Sequence, residues 1–376
     1  MGPLIILDKS ALQGFSRNEM SKLMAHYMLV VVPILMIEII ADLKKEAVEG
    51  RMPEDDVIWL SRKLLGIDSK LSVSYKVACV ESMMGNDPPP GFIMMSGGKE
   101  FTTSDGKTGV FYDEPPEYKA LRNWSQGQFE EAERALADNW RKVIAAINLE
   151  EFRRTYADRL QLPRPKDFNE LSANIDKLLA NPDTAIQHNL LKMLMDFVDP
   201  PEKLRNAIFD RWLGLKMPEI ARFSPYPHYC LRTILIFYEG VAHGLISTRA
   251  TNRVDLEYFL YAHFGYILCS RDKFHRALAP YILKSQTFIE GDALKADLKW
   301  LDEEWKGLSD EQKRTRSEEY GSRPPERRES ITWQMWQKYM KPWKPGSGNR
   351  ASKMSKEEEA SILAEMRSIM DAIDGK

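Results

Sequence analysis

Two short apolar runs near the start of the chain, with a helix-like segment between them, restrict this protein to an α/β fold. Leu4–Leu7 is wholly apolar, and Met28–Val32 is rich in β-branched residues. Ser16 and Glu19, at capping-box spacing, begin the intervening helix, and a helical apolar stripe runs through residues 35–48. Short runs without polar alternation are typical of strands buried on both faces. The order strand, helix, strand, helix therefore predicts a parallel sheet covered by helices.

The middle of the chain has a different pattern and is predicted to be mainly helical. Asn-Pro, Asp-Pro-Pro and Met-Pro breaks separate or end three expected helices, Phe168–Leu179, Thr184–Phe197 and Glu202–Leu213. Ser125 with Gln128 is expected to begin a further amphipathic helix. A hairpin is predicted within Phe101–Tyr112, around the turn Asp105-Gly106.

The alternation of strand and helix returns after residue 230. The predicted elements are helices over Leu231–Ile246, Arg253–Phe264 and Phe274–Leu283, and strands over Tyr266–Cys269 and Thr287–Ile289. We therefore expect an α/β fold whose parallel-sheet domain is split into residues 1–49 and 231–300. A large, mainly α-helical insertion at residues 50–230 would interrupt it, and residues 301–376 would form a helical, charge-rich C-terminal extension.

The composition indicates a globular protein without a membrane-spanning segment. Of the 376 residues, 43% are hydrophobic and 29% are charged, and the net charge is −2. The run LVVVPILMIEIIADL contains a proline and two acids and is too short to cross a bilayer. The first apolar run has no basic stretch before it, and the three cysteines are too far apart to indicate a disulfide framework or a zinc site. These features predict a cytoplasmic protein.

Acidic side chains lie where predicted core elements begin or end. They are Asp8, Glu38, Asp42, Asp255 and Asp272. Asp8 directly follows the first strand, and Asp272 follows the strand at residues 266–269. In parallel sheets, functional groups gather at the carboxyl ends of the strands. Several carboxylates at one edge repel one another, and a divalent cation such as Mg²⁺ or Mn²⁺, which prefers oxygen ligands, removes that repulsion.

The same segments carry a family resemblance. The stretches LIILDKSAL, VVVPILMIEIIADL, NRVDLEYFLY and YILCSRDKFHR occur in this order, and together they resemble a PIN-like nuclease domain. The resemblance implies that the catalytic and metal-binding acids are Asp8, Glu38, Asp255 and Asp272, with Asp42 as an auxiliary metal ligand. It implies Mg²⁺ or Mn²⁺ as the cofactor and water-mediated hydrolysis of phosphodiesters in RNA, with DNA as the lesser alternative. A helical insertion over the acidic edge would favour a single-stranded substrate.

Basic residues flank these acids and are candidates for positioning substrate phosphates. They are Lys9, Arg253, Arg271 and Lys273, and the alternative for each is a solvent-facing charge. The acids have structural alternatives too, because an Asp at a strand end can cap a helix and a first-turn Asp favours the helix dipole. His275 is expected to be structural, since the histidines show no metal-ligand spacing.

Two other functions remain open from the sequence. A catalytically inactive PIN-like scaffold would bind a partner protein through the helical insertion and the C-terminal helix. A small-molecule phosphatase would use Asp8, although the haloacid dehalogenase type requires a second Asp at the position that Ser10 occupies here.

The C-terminal extension combines basic and aromatic residues. Residues 323–353 are rich in Lys and Arg and also contain Trp333, Trp336, Tyr339 and Trp343. Such a segment suits single-stranded nucleic acid, and packing of the same rings onto the body is the alternative. A final helix, capped by Ser355 and Glu358, carries an apolar stripe at Ile362, Met366, Ile369 and Ile373. This stripe predicts either folding back onto the protein or contact with a second copy or a partner protein.

Overall fold

The computed structural model describes most of the chain. The described residues are 2–342, except for 48–49, 51, 66–69, 88–90, 96–97, 104–107, 113 and 157–162, together with 360–361, 363–364, 366–367 and 370. The predicted turn Asp105-Gly106, Trp343, the cap residues Ser355 and Glu358, and the stripe positions Ile362, Ile369 and Ile373 lie outside the described residues.

A five-stranded parallel sheet forms the centre of the molecule. Its strands are β1 (Leu4–Leu7), β2 (Met28–Val31), β3 (Lys70–Leu71), β6 (Ile267–Ser270) and β7 (Thr287–Glu290), in the order β3-β2-β1-β6-β7. In the register of the sheet, Ile5 of β1 lies opposite Leu29 on one side and Ile267 on the other. β1, at the middle, is buried along its whole length, as its unbroken apolar run predicts. The predicted α/β class with a parallel sheet is confirmed.

A separate antiparallel hairpin consists of β4 (Gly98–Thr102) and β5 (Thr108–Tyr112). Its position confirms the hairpin predicted within Phe101–Tyr112.

Helices make up most of the rest of the described chain. They are α1 Lys9–Gly14, α2 Arg17–His26, α3 Pro33–Ile40, α4 Pro53–Leu64, α5 Tyr75–Met84, α6 Pro116–Ser125, α7 Glu131–Ala146, α8 Leu149–Tyr156, α9 Phe168–Leu179, α10 Thr184–Val198, α11 Glu202–Gly214, α12 Ile220–Phe223, α13 Pro225–Ala242, α14 Asn252–Tyr261, α15 Lys273–Ile282, α16 Gly291–Gly307, α17 Asp310–Tyr320 and α18 Ile331–Tyr339, with a 3₁₀ turn at Ala41–Lys44 after α3. None of the described helices is both long enough and apolar enough to cross a bilayer.

Local signals account for many of these boundaries. The predicted capping box of α2 is present, because Ser16 Oγ accepts a hydrogen bond from the Glu19 amide and the Glu19 carboxylate accepts one from the Ser16 amide. The three helices predicted between proline breaks are observed as α9, α10 and α11. Helix periodicity and breaker residues are therefore sufficient to predict helices where the segments are long and amphipathic.

Two predictions of elements were wrong. Ser125 ends α6 instead of beginning a helix, because its hydroxyl donates a hydrogen bond back to the Arg122 carbonyl. The next helix, α7, begins at Glu131, where the Glu133 carboxylate accepts a hydrogen bond from the Glu130 amide. β3, a strand of two residues, was not predicted; it lies within the predicted helical insertion and pairs with β2.

The sheet and the mainly helical middle segment share one hydrophobic core. Its central helix is α13, which is buried along most of its length and packs against α5, α8, α9, α12 and α14. The middle segment and the halves of the sheet that flank it therefore stabilise each other through the same buried surface.

The described part of the C-terminal extension packs onto the body. Trp336 Nε1 donates a hydrogen bond to the His26 carbonyl at 2.8 Å, and the Tyr339 ring stacks on Tyr266 with centroids 4.6 Å apart. Asp297 of α16 accepts a hydrogen bond from the Thr332 amide at 2.8 Å. Of the two alternatives for the aromatic residues of this extension, these contacts favour packing for Trp336 and Tyr339.

Candidate functional site

The predicted acids border the point where the order of the sheet changes direction. From β1 the chain adds β2 and β3 on one side, whereas β6 and β7 lie on the other side. At such a switch point, the loops after two neighbouring strands diverge and leave a crevice at their carboxyl ends. Asp8 directly follows β1, and Asp272 lies two residues beyond β6.

Asp8 is buried and firmly oriented. It is the N-cap of α1, where its Oδ1 accepts a hydrogen bond from the Ala11 amide at 2.8 Å. The hydroxyls of Ser10 and Ser270 donate to Oδ2 at 2.8 Å and 2.6 Å. The predicted alternative for Asp8, a capping role, is therefore observed, and the same contacts hold the carboxylate in one orientation.

Ser270 and His275 connect Asp8 to the neighbouring elements. Ser270 Oγ accepts a hydrogen bond from the Asp272 amide at 2.9 Å and lies 2.8 Å from His275 Nδ1. Because the single hydroxyl proton of Ser270 is used on Asp8, His275 Nδ1 must be the donor in the second contact. His275 Nε2 lies 2.8 Å from the Asp255 carbonyl, which only accepts. Both ring nitrogens therefore donate, and the hydrogen-bond geometry requires the protonated imidazolium.

The charges of this group are coupled. Burial alone would raise the pKa of Asp8, but contact with His275 and hydrogen bonds from Ser270 and Ala11 hold that pKa below its usual value. Burial opposes the charge on His275, but its contact with Asp8, at 3.4 Å between Nδ1 and Oδ2, and the charge of Asp255 raise the pKa of His275 to about 9. The two residues form a buried ion pair.

Glu38 and Asp255 bring two more carboxylates into the same electrostatic environment. Burial raises the pKa of Glu38, while a hydrogen bond from the Tyr258 hydroxyl partly offsets that effect. Burial, together with the charges of Asp272, Glu38 and Asp8, raises the pKa of Asp255 to about 7 despite the opposing charge of His275. Among the described residues, no hydrogen-bond or ion-pair partner of the Asp255 carboxylate is seen.

Asp272 serves as the N-cap of α15, where its carboxylate accepts a hydrogen bond from the Phe274 amide at 2.7 Å. Its capping role does not use all of its oxygen lone pairs, since a carboxylate can accept about four hydrogen bonds.

Asp42 is held in a different arrangement from the four other acids. Its Oδ1 accepts a hydrogen bond from Lys9 Nζ at 2.6 Å and lies 3.0 Å from Lys45 Nζ. Lys9 Nζ also donates to the Glu38 carbonyl at 2.7 Å, which ties α1 to α3. Asp42 Oδ2 is buried and has no hydrogen-bond partner among the described residues.

The basic residues that were candidates for phosphate contacts differ in their surroundings. Arg253 lies about 200° from Asp255 around α14 and pairs with Glu257 at 3.1 Å. Arg271 pairs with Asp292 at 2.8 Å. Lys9 is mostly buried against Asp42, whereas Lys273 is exposed at the first residue of α15.

The residues that connect the acids were not predicted as functional. Ser270 was not among the candidate residues, and His275 was expected to be structural. Tyr258 was not considered, although it holds Glu38. The available sequence signal was spacing, since His275 lies one helical turn after Asp272 and faces the same way on α15.

The donors present are chemically suited to a hard divalent cation. Asp8, Glu38, Asp255 and Asp272 offer only oxygen atoms, and the Asp255 carboxylate lacks a partner among the described residues. Within the described part of the chain, no three His, Cys, Asp or Glu side chains converge closely enough to surround an ion.

Comparisons with models of protein families, with curated proteins and with solved structures found no match to this chain.

Proposed function

We propose that this protein is a metal-dependent nuclease that hydrolyses phosphodiester bonds in RNA in preference to DNA, with Mg²⁺ or Mn²⁺ as cofactor. The observation that carries the proposal is the half-buried Asp255 carboxylate, which has no hydrogen-bond or ion-pair partner among the described residues and whose pKa is raised to about 7 by burial and by the charges of Asp272, Glu38 and Asp8. Carboxylates in such mutual repulsion at the crevice of a parallel sheet are stabilised by a divalent cation. The preference for RNA rests on the family resemblance.

In this proposal, each residue of the site would have a separate role. Asp255 and Asp272 would hold the ion, and Glu38, whose carboxylate accepts a hydrogen bond from the Tyr258 hydroxyl, would accept a proton from water. Asp8, whose pKa is kept low, would remain ionised throughout. The bound ion would lower the pKa of its water and neutralise charge on the phosphate. Lys273, exposed at the start of α15, is the basic residue best situated to contact a substrate phosphate.

A cytoplasmic location and a single-stranded substrate are part of the same proposal. Contact with a second copy or a protein partner through the C-terminal helix remains a further prediction; Met366, from the apolar stripe of that helix, is exposed.

The experiment is a cleavage assay with labelled single-stranded RNA and DNA of the same base order, in Mn²⁺ and in chelator. We expect RNA cleavage with Mn²⁺ and none with chelator. Asp255→Asn should lower the rate by about 100-fold or more, because the loss of a metal ligand removes several kcal/mol of transition-state stabilisation. Asp310→Asn is the matched control, since Asp310 is also a first-turn acid but lies at the exposed start of α17.

The alternatives give different results in the same experiment. An inactive scaffold would bind no Mn²⁺ and cleave neither polymer. A phosphatase would release inorganic phosphate from p-nitrophenyl phosphate and leave both polymers intact. Equal cleavage by wild type and Asp255→Asn would contradict the assignment of this site.

A further inference from the structure

One buried histidine contacts Asp8 and the main chain of Asp255 directly and is connected to Glu38 and Asp272 through one residue each. His275 projects from α15 into the space between β1, β6 and α14, and its side chain is fully buried. The ring packs edge-on against Tyr258 and Phe259, with centroids 5.6 Å and 5.2 Å apart. These aromatic contacts restrict the plane of the imidazole, and its hydrogen bonds to Ser270 and to the Asp255 carbonyl set its orientation within that plane.

In that orientation each ring nitrogen controls a different part of the site. Nδ1 contacts Ser270 Oγ at 2.8 Å and Asp8 Oδ2 at 3.4 Å, which orients the acid after β1. Nε2 donates to the main-chain carbonyl of Asp255 at 2.8 Å, which fixes the start of α14.

The remaining two acids are connected to the same ring through one intermediate each. Ser270 Oγ, which His275 contacts, accepts the hydrogen bond of the Asp272 amide. Tyr258, whose ring packs on the imidazole, donates to the Glu38 carboxylate. A phenylalanine at position 275 would preserve the packing and lose both polar links, so packing alone does not explain this residue.

We propose that His275 is the positioning residue of the acidic site: through Ser270 and through the Asp255 carbonyl, it sets the spacing of the carboxylates that bind the metal ion. This inference rests on the proposed metal-dependent function. Groups that orient metal ligands without touching the ion commonly contribute about 10–100-fold to metal affinity.

The test separates the two ring nitrogens with variants of the full-length protein. His275→Asn places an amide nitrogen near the position of Nδ1 and keeps the donor to Ser270, whereas His275→Gln places it near Nε2 and keeps the donor to the Asp255 carbonyl. His275→Ala keeps neither. The readout is the dissociation constant of Mn²⁺ alone, measured by electron paramagnetic resonance, with folding checked by circular dichroism.

We expect His275→Ala to weaken Mn²⁺ binding by about 10–100-fold, and His275→Asn and His275→Gln each to recover part of the loss. His26→Asn is the matched control, because His26 also contacts a main-chain carbonyl, that of Ser322, but lies away from the acids. If the alanine variant does not fold, the Mn²⁺ dissociation constants of the asparagine and glutamine variants are compared with that of the wild type instead.

The outcomes distinguish this inference from the proposed function. If the wild type binds no Mn²⁺, both fail. If the wild type binds Mn²⁺ and every folded His275 variant binds it as tightly, His275 is a packing residue only and the inference alone is overturned.

Discussion

The environment of Asp255 disfavours the charge of its carboxylate. The residue is half-buried, its carboxylate lacks a partner among the described residues, and Asp272, Glu38 and Asp8 act on it with the same sign of charge. Natural proteins keep such a destabilising group where function requires it, so that stability and activity are in conflict at that position.

This conflict predicts a stabilising substitution. Because the pKa of Asp255 rises from its usual 3.8 to about 7 on folding, the carboxyl costs little below pH 3.8 and its full penalty is present above pH 7. Asp255→Asn in chelator should therefore raise the free energy of unfolding by about 1–2 kcal/mol above pH 7. The gain should shrink as the pH falls toward 3.8. Urea unfolding at several pH values measures it, and a loss of stability at the upper end of the range would contradict the repulsion argument.

His275 gives a second prediction, in which the stabilising contribution of the residue is lost as the pH rises. Its pKa rises from 6.5 to about 9 on folding, so its ion pair with Asp8 stabilises the protein fully below pH 6.5, and that contribution is lost as the pH rises through 9. The stability difference between wild type and His275→Asn in chelator should fall by about 1–3 kcal/mol across this range.

The prediction compares wild type with His275→Asn because another buried group changes its charge in the same pH range. Burial lowers the pKa of Lys63 to about 7, which makes stability rise with pH over part of the same range. Subtracting the free energy of unfolding of His275→Asn from that of the wild type at each pH removes the contribution of Lys63. A pH-independent difference would mean that His275 is not protonated in the folded protein.

At the level of elements, two of the candidate site acids are also the N-cap residues of helices. Asp8 caps α1 and Asp272 caps α15, so the structural interpretation weighed for each in the sequence is correct. Their role as metal ligands stays a prediction. The two roles are compatible, since a cap uses one acceptor direction of a carboxylate and places its Asp at a strand end.

The contribution of a helix cap to the free energy of unfolding should depend on how much of its helix is buried. Ser16→Ala removes half of the capping box of α2, which packs against α16 and the edge of β2, and should lower the free energy of unfolding by about 1 kcal/mol. Ser309→Ala is the matched control. Ser309 caps α17 in the same way, but no residue of α17 is buried.

Thermal and urea unfolding of the two variants would measure the difference. The Ser309 substitution should leave global unfolding almost unchanged, because α17 can fray by itself. Equal losses in both variants would show that α17 unfolds together with the core.

At the level of the whole molecule, the shared core decides how separable the segments are. The middle segment was predicted as an insertion within a sheet domain, and four of its helices, α5, α8, α9 and α12, pack on α13, most of which lies beyond residue 230. A helix that loses the surface it packs against exposes apolar area worth about 25 cal/mol per Å².

Residues 50–230 expressed alone should therefore not form a stable domain. The fragment ends within the first turns of α13 and lacks most of its buried residues. We expect its circular dichroism to show helical content but no cooperative thermal transition, in contrast with the full chain. A sharp transition in the fragment would mean that the middle segment is an independent domain.

The sequence by itself determined the class of fold and most long elements, because periodicity, caps and breaker residues act over a few neighbouring positions. It placed the hairpin, the parallel sheet, and α9, α10 and α11. It could not identify β3, since two residues carry no periodic signal and the pairing with β2 supplies the stability of that strand.

Only the tertiary structure decided how the four acids are connected. The sequence indicated Asp8, Glu38, Asp255 and Asp272 by their places at strand ends and helix starts, but it assigned His275 to structure and did not consider Tyr258. Those two side chains matter because folding brings α14 and α15 together beside β1, where the imidazole meets Ser270, Asp8 and the Asp255 carbonyl. Contacts between residues far apart in sequence depend on the packing of whole elements, and no local pattern encodes them.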